Sequence, residues 1–115
     1  MESIDIKGKQ YITVNERVKE FRRLHPKGQI LTSILANADS QVMFKAEVMV
    51  DDVLVATGHA YEKEGSSFIN KTSYIENCET SAIGRALGMY GIGIDTSLAS
   101  ADEVKNAVKQ QEDFL

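Results

Sequence analysis

The chain has 115 residues, 43% of them hydrophobic and 26% charged, with a formal net charge of −4. That length suits one domain with a modest core and is too short for two independent ones. A single cysteine, Cys78, excludes an intramolecular disulfide framework, and no apolar run approaches the length of a membrane span. The amino-terminal stretch MESIDIKGKQ has no hydrophobic signal core, so a cytoplasmic protein with no membrane partner is expected.

The acidic total speaks against a uniformly cationic surface, but the charge is unevenly spread. Residues 1–45 hold eight basic and five acidic residues, a balance of +3, while residues 46–115 hold five basic and twelve acidic, a balance of −7. The segment from Lys7 to Lys27 is the most basic, with seven positive and two negative side chains. Such asymmetry allows a basic face on an acidic protein.

In chain order, residues 13–25 read as a helix. Thr13 and Glu16 form a capping box, Val14, Val18, Phe21 and Leu24 recur on one face, and Pro26 and Gly28 stop it. Residues 29–36 read as a first strand. Residues 42–50 are a clearer one, with Val42, Phe44, Ala46, Val48 and Val50 alternating against Met43, Lys45, Glu47 and Met49. Asp51-Asp52 reads as a two-residue hairpin turn into the strand VLVATGHAY. A regular register from that turn pairs Val48 with Val55, Ala46 with Thr57 and Phe44 with His59, which places Phe44, His59 and Tyr61 on one face.

Residues 63–67 read as a polar loop, and FINKTSY as a short strand or extended lead-in. A second helix starts at Ser73 or at Thr80, carries Ile75, Ala82, Ile83, Ala86, Leu87 and Tyr90 as its apolar stripe, and ends at Gly91 and Gly93. Gly84 and Gly88 inside it cost roughly 1 kcal/mol each relative to alanine, so close approach by another element is expected there. Ser100 and Glu103 cap a final short helix. The expected fold is α+β: an antiparallel three-stranded meander, curled with short strands into a partial OB-like barrel, with two to three helices. Residues 1–97 make the binding domain, and residues 98–115 an acidic carboxy-terminal helix and tail.

Catalytic and metal signatures are missing from the sequence. His25, His59 and Cys78 lack zinc-ligand spacing, and there is no HExxH, CxxC, GxSxG or P-loop pattern. A Cys78–His59 nucleophile pair is the one catalytic arrangement on offer, and a small buried cysteine is the commoner use of such a residue. No enzyme activity, cofactor or metal is therefore expected. Basic and aromatic residues interleave instead: Lys7, Lys9, Tyr11, Lys45, His59, Tyr61, Lys63, Phe68, Lys71, Tyr74 and Arg85. That combination suits single-stranded nucleic acid, whose phosphates need cations and whose unpaired bases stack on aromatic rings. Phe44 stands in the alternating apolar row and reads as core.

The stretch HAYEKEGSSFINKTSYIENCETSAIGRALGMYGIGI, residues 59–94, resembles small proteins of phage recombination and replication modules, the lactococcal phage single-stranded DNA-binding proteins in particular. The likeness begins near GKQYITVNERVKEF, and FINKTSYIENCETSAIGRAL is its most specific part. The resemblance implies a variant OB fold and non-catalytic binding of single-stranded DNA. It also implies work alongside a phage annealing protein and a host recombinase. A β-β-β-α order ending in ETSAIGRALGMYG is similar, more weakly, to the core of Rad52-type annealing proteins. The terminal EDFL is similar in kind to the acidic, Phe-containing tip of bacterial single-stranded DNA-binding proteins, without their Ile-Pro-Phe. A homodimer or higher homo-oligomer is expected, because one small domain offers few binding subsites.

Overall fold

The structure is a computed structural model that describes residues 1–66 and 70–113, the side chains of 70, 71 and 113 excepted. It is α+β, with β1 (Ser3–Ile6), β2 (Lys9–Ile12), α1 (Val14–Leu24), β3 (Gln29–Ala38), β4 (Gln41–Val50), β5 (Val53–Lys63), α2 (Asn70–Tyr90) and α3 (Ala101–Asp113). The expected meander is present as a three-stranded antiparallel sheet in the order β3-β4-β5. It stays open. The short strands β1 and β2 pair with each other as a separate hairpin instead of closing the sheet.

Tight turns make the strands consecutive neighbours. Asp51-Asp52 and Asp39-Ser40 each place two successive residues at positive φ, 52° and 63° in the first and 55° and 58° in the second. That geometry matches the twist of a two-residue hairpin, and Asp tolerates it better than most residues do. The β4–β5 ladder begins as the sequence predicts, with Val50 opposite Val53, and then departs from it. A bulge inserts Val55, so Val48 faces Ala56, Ala46 faces Gly58, Phe44 faces Ala60 and Lys45 faces His59. His59 and Tyr61 therefore lie on the face opposite to Phe44, not beside it.

The physical reason for the bulge lies in α2. It packs across β4 and β5, and the shift turns the small residues Ala56, Gly58 and Ala60 toward it in place of Val55, Thr57 and His59. A Cβ on Gly58 would stand 2.3 Å from the Ala86 amide nitrogen and 2.6 Å from the Ala82 carbonyl oxygen. The helix answers with its own small residues, and Cys78, Ala82 and Ala86 are fully buried there. The larger core side chains Val42, Phe44, Val48, Phe21 and Leu87 fill the space on either side of this seam.

The helix ends follow the expected caps. The Thr13 hydroxyl accepts from the Glu16 amide at 3.1 Å, and the Ser100 hydroxyl accepts from the Glu103 amide at 3.1 Å. Asn70–Tyr74 belongs to α2 and is not a strand lead-in; Ser73 (φ −139°) breaks helical geometry, so a regular helix runs from Tyr74. Phe68 and Ile69 of the FINKTSY stretch lie outside the described residues. α3 is docked on the body: Asp102 accepts from the Val14 amide at 2.7 Å, and Asn106 and Gln110 donate to the buried Glu62 at 2.5 and 3.1 Å. Phe114 and Leu115 of the terminal EDFL are outside the described residues. No described helix is long and apolar enough to cross a membrane.

Candidate nucleic-acid interface

The molecule is thin, 17 Å along its shortest principal axis, which is room for one sheet and one helix layer. Side chains alternate across the sheet, so what α2 does not cover faces outward. On β4 the outward row is Gln41, Met43, Lys45, Glu47 and Met49, and on β5 it includes Thr57, His59, Tyr61 and Lys63. β3 adds Leu31 and Ser33, opposite Glu47 and Lys45. Three successive cross-strand pairs form one end of this face: Lys45 with His59, Met43 with Tyr61, and Gln41 with Lys63. The Tyr61 ring is half exposed, at 52%, with a lysine register on either side of it. A half-exposed tyrosine with a lysine position on either side can stack a base while the lysines neutralise adjacent phosphates.

Of the residues singled out from sequence, the fold brings Lys45, His59, Tyr61 and Lys63 together on this face. The others are elsewhere. Lys7, Lys9 and Tyr11 belong to the β1–β2 hairpin, whose β1 packs against α3. Tyr74 packs against the core on the α2 side. Arg85 donates to Glu103 at 3.2 Å, tying α2 to α3. Lys71 belongs to the first turn of α2, with only its backbone described, and Phe68 lies outside the described residues. Phe44 is core, 5% exposed, as its place in the apolar row predicts. Cys78 sits under the sheet with its thiol toward the Val42 carbonyl, on the opposite side from His59, so the two do not form a nucleophile pair. Burial pushes that thiol up to about 11.

The basic stretch around α1 is largely engaged within the protein. Lys19 pairs with Glu16 at 3.3 Å and Arg23 with Glu20. Arg22 reaches the Gly28 carbonyl and lies over the Phe21 ring. Arg17 is fully buried and donates to the carbonyls of Gly84 at 2.8 Å, Gly93 at 3.1 Å and Ser97 at 3.0 Å. Burial lowers its pKa, against the opposing pull of Glu103 and Asp102. Arg17 is thus a structural clamp between α1, α2 and the segment after α2. Its side chain and that of Val14 fill the space that Gly88 and Gly84 leave open, the close approach expected from two glycines inside a helix. Neither Arg17 nor the buried Glu62 stands out in the sequence. Arg17, three residues after Val14 and four before Phe21, is spaced on the buried face of α1, a signal that counting apolar residues alone passes over, and Glu62 continues the inward row Ala56, Gly58, Ala60 only once the bulge sets the register.

The profile of the family described as "Slr1353 N-terminal dsRNA-binding domain-like" matches residues 18–90. The chain belongs to this family. The match runs from within α1 through the three-stranded sheet to the last residue of α2, so it covers both layers that form the open face and leaves out the β1–β2 hairpin and α3. The description places the family with nucleic-acid-binding domains. No curated protein and no solved structure matches the chain.

Proposed function

We propose that the protein binds nucleic acid without catalysis, and that its ligand is single-stranded DNA held on the open face of the sheet. The observation that carries this reading is the half-exposed Tyr61 ring between the Lys45 and Lys63 registers, with His59 beside it. An exposed aromatic ring stacks on the faces of unpaired bases, and cations at the same surface bind phosphates in either kind of strand. Family membership supports the nucleic-acid part of the reading, since the family is described by its likeness to double-stranded-RNA-binding domains. The resemblance of residues 59–94 to phage single-stranded DNA-binding proteins supports the rest: coating of single strands in the host cytoplasm, during phage replication and recombination, for hand-over to a recombinase or annealing protein.

The weaker similarity of the β-β-β-α order ending in ETSAIGRALGMYG to Rad52-type annealing proteins supports annealing of complementary strands as a second reading. Fluorescence titration with oligothymidine, a DNA duplex and an RNA duplex at one salt concentration tests the proposal. Tighter binding of oligothymidine is expected. Equal or tighter binding of either duplex overturns the single-strand reading, and acceleration of complementary-strand pairing would favour the annealing one.

A further inference from the structure

A long strand at the border of the sheet has no edge protection before its bulge at Leu35. β3 runs for ten residues, Gln29–Ala38, and contains no charged residue, no proline and no glycine. Edge strands of soluble proteins ordinarily carry such devices, because a row of free amides and carbonyls is a template for another strand. The other border strand, β5, carries Glu62 and Lys63 and is bulged at Val55.

Exposed apolar side chains on β3 point to both faces of the sheet. Leu31 stands opposite Glu47 on the open face and is 46% exposed. Ile34 stands opposite Phe44, on the helix face, and is 50% exposed because α2 lies over β4 and β5. A ligand lying on the open face would cover Leu31 and leave Ile34 bare. A strand added alongside covers both.

We infer that β3 pairs antiparallel with β3 of a second copy of this chain across a two-fold axis, joining two open sheets into one of six strands. Self-pairing is favoured by the composition of the strand, since an uncharged segment meets its own copy without like-charge contacts. Side-chain parity restricts the register, because residues directly opposite must share a face, so the axis passes through a residue and not between two. An axis at Thr32 sets Ile30 against Ile34 and Leu31 against Ser33 of the copy, and leaves the bulge at Leu35 outside the paired stretch. The two faces bearing Lys45, His59 and Tyr61 then become continuous, although the pairing itself does not depend on what those faces bind.

Sedimentation of the full chain without nucleic acid, from low micromolar to hundred-micromolar concentration, tests this. The expected result is a concentration-dependent rise toward twice 12.7 kDa. Ile34→Lys should weaken the dimer at least tenfold, and Met89→Lys, at an exposed position on α2, should leave it unchanged. Amide hydrogen exchange on the unmodified chain should slow at residues 29–34 as concentration rises, and this decides the matter should Ile34→Lys fail to fold. A monomer throughout the range overturns the inference. So does a dimer insensitive to Ile34→Lys, or protection that appears only at another surface.

Discussion

Lys45 and His59 stand directly opposite each other on the uncovered face of the sheet, one pair away from Met43 and Tyr61. The single extra residue at Val55 puts them there: without that bulge His59 would lie on the helix face with Phe44, and α2 could not approach β5 as closely as it does. One local irregularity thus serves both the packing of the core and the assembly of the candidate site.

Tyr61 makes the sharpest prediction for that face. Its ring is half exposed and contributes little to the core. Tyr61→Ala should therefore weaken binding of oligothymidine by a factor of about 5 to 150, the equivalent of about 1–3 kcal/mol for one stacked base. The melting temperature should change by no more than a few degrees. Fluorescence anisotropy and thermal denaturation on the same preparations check both halves.

Lys45 and Lys63 should act through phosphates rather than bases. Replacing both with Gln should flatten the dependence of log affinity on log salt by about 1.4, at about 0.7 for each contact with a single strand. A matched pair of substitutions at Lys19 and Arg23, already paired with Glu16 and Glu20, should change the slope less. Titrations across a range of sodium chloride concentrations separate the two cases.

Gly58 should tolerate no side chain. The nearest atoms to a Cβ there belong to the α2 backbone at Ala82 and Ala86, which cannot rotate away. Gly58→Ala should cost about 3 kcal/mol or more in unfolding free energy, or prevent folding, because overpacking here means moving a helix. Gly65→Ala meets no atom within 4 Å but sits at positive φ (77°), so its smaller cost would be conformational. Urea denaturation of both variants ranks them.

Arg17 should prove structural. Arg17→Met leaves the carbonyls of Gly84, Gly93 and Ser97 without their donor, at a cost of about 3 kcal/mol, and Lys cannot restore a three-way fork. Chemical denaturation of both variants, with oligothymidine affinity measured under conditions where the protein stays folded, should show lost stability and unchanged binding.

Cys78 ties stability to alkaline pH. Its thiol is held above the ordinary value, at about 11 against 9.0, so the unfolded chain loses its proton first as pH rises. The stabilisation is complete below pH 9.0 and is lost as pH climbs through about 11. Cys78→Ala should remove that part of the alkaline decline in denaturation curves. The native thiol should also react slowly with an aromatic disulfide until the protein unfolds.

Local chemistry made several features of this protein readable from its residues alone. Thr13 and Ser100 announce helix starts because a hydroxyl at that place satisfies a free amide wherever the helix ends up packing. The alternation from Val42 to Val50 specifies a strand with one buried face, and Asp51-Asp52 specifies its turn. Gly84 and Gly88 signal a close neighbour without saying which. What the tertiary structure alone decided is the register of β5, and with it the make-up of the candidate site. The run VLVATGHAY offers its valines or its small residues to the core with nearly equal hydrophobic pattern. Only the distance at which α2 must lie selects Ala56, Gly58 and Ala60. The same applies to the charges. Lysines and arginines look alike in a sequence, and it is the long-range partners, Gly84, Gly93 and Ser97 for Arg17 and Glu103 for Arg85, that separate structural cations from those left facing solvent.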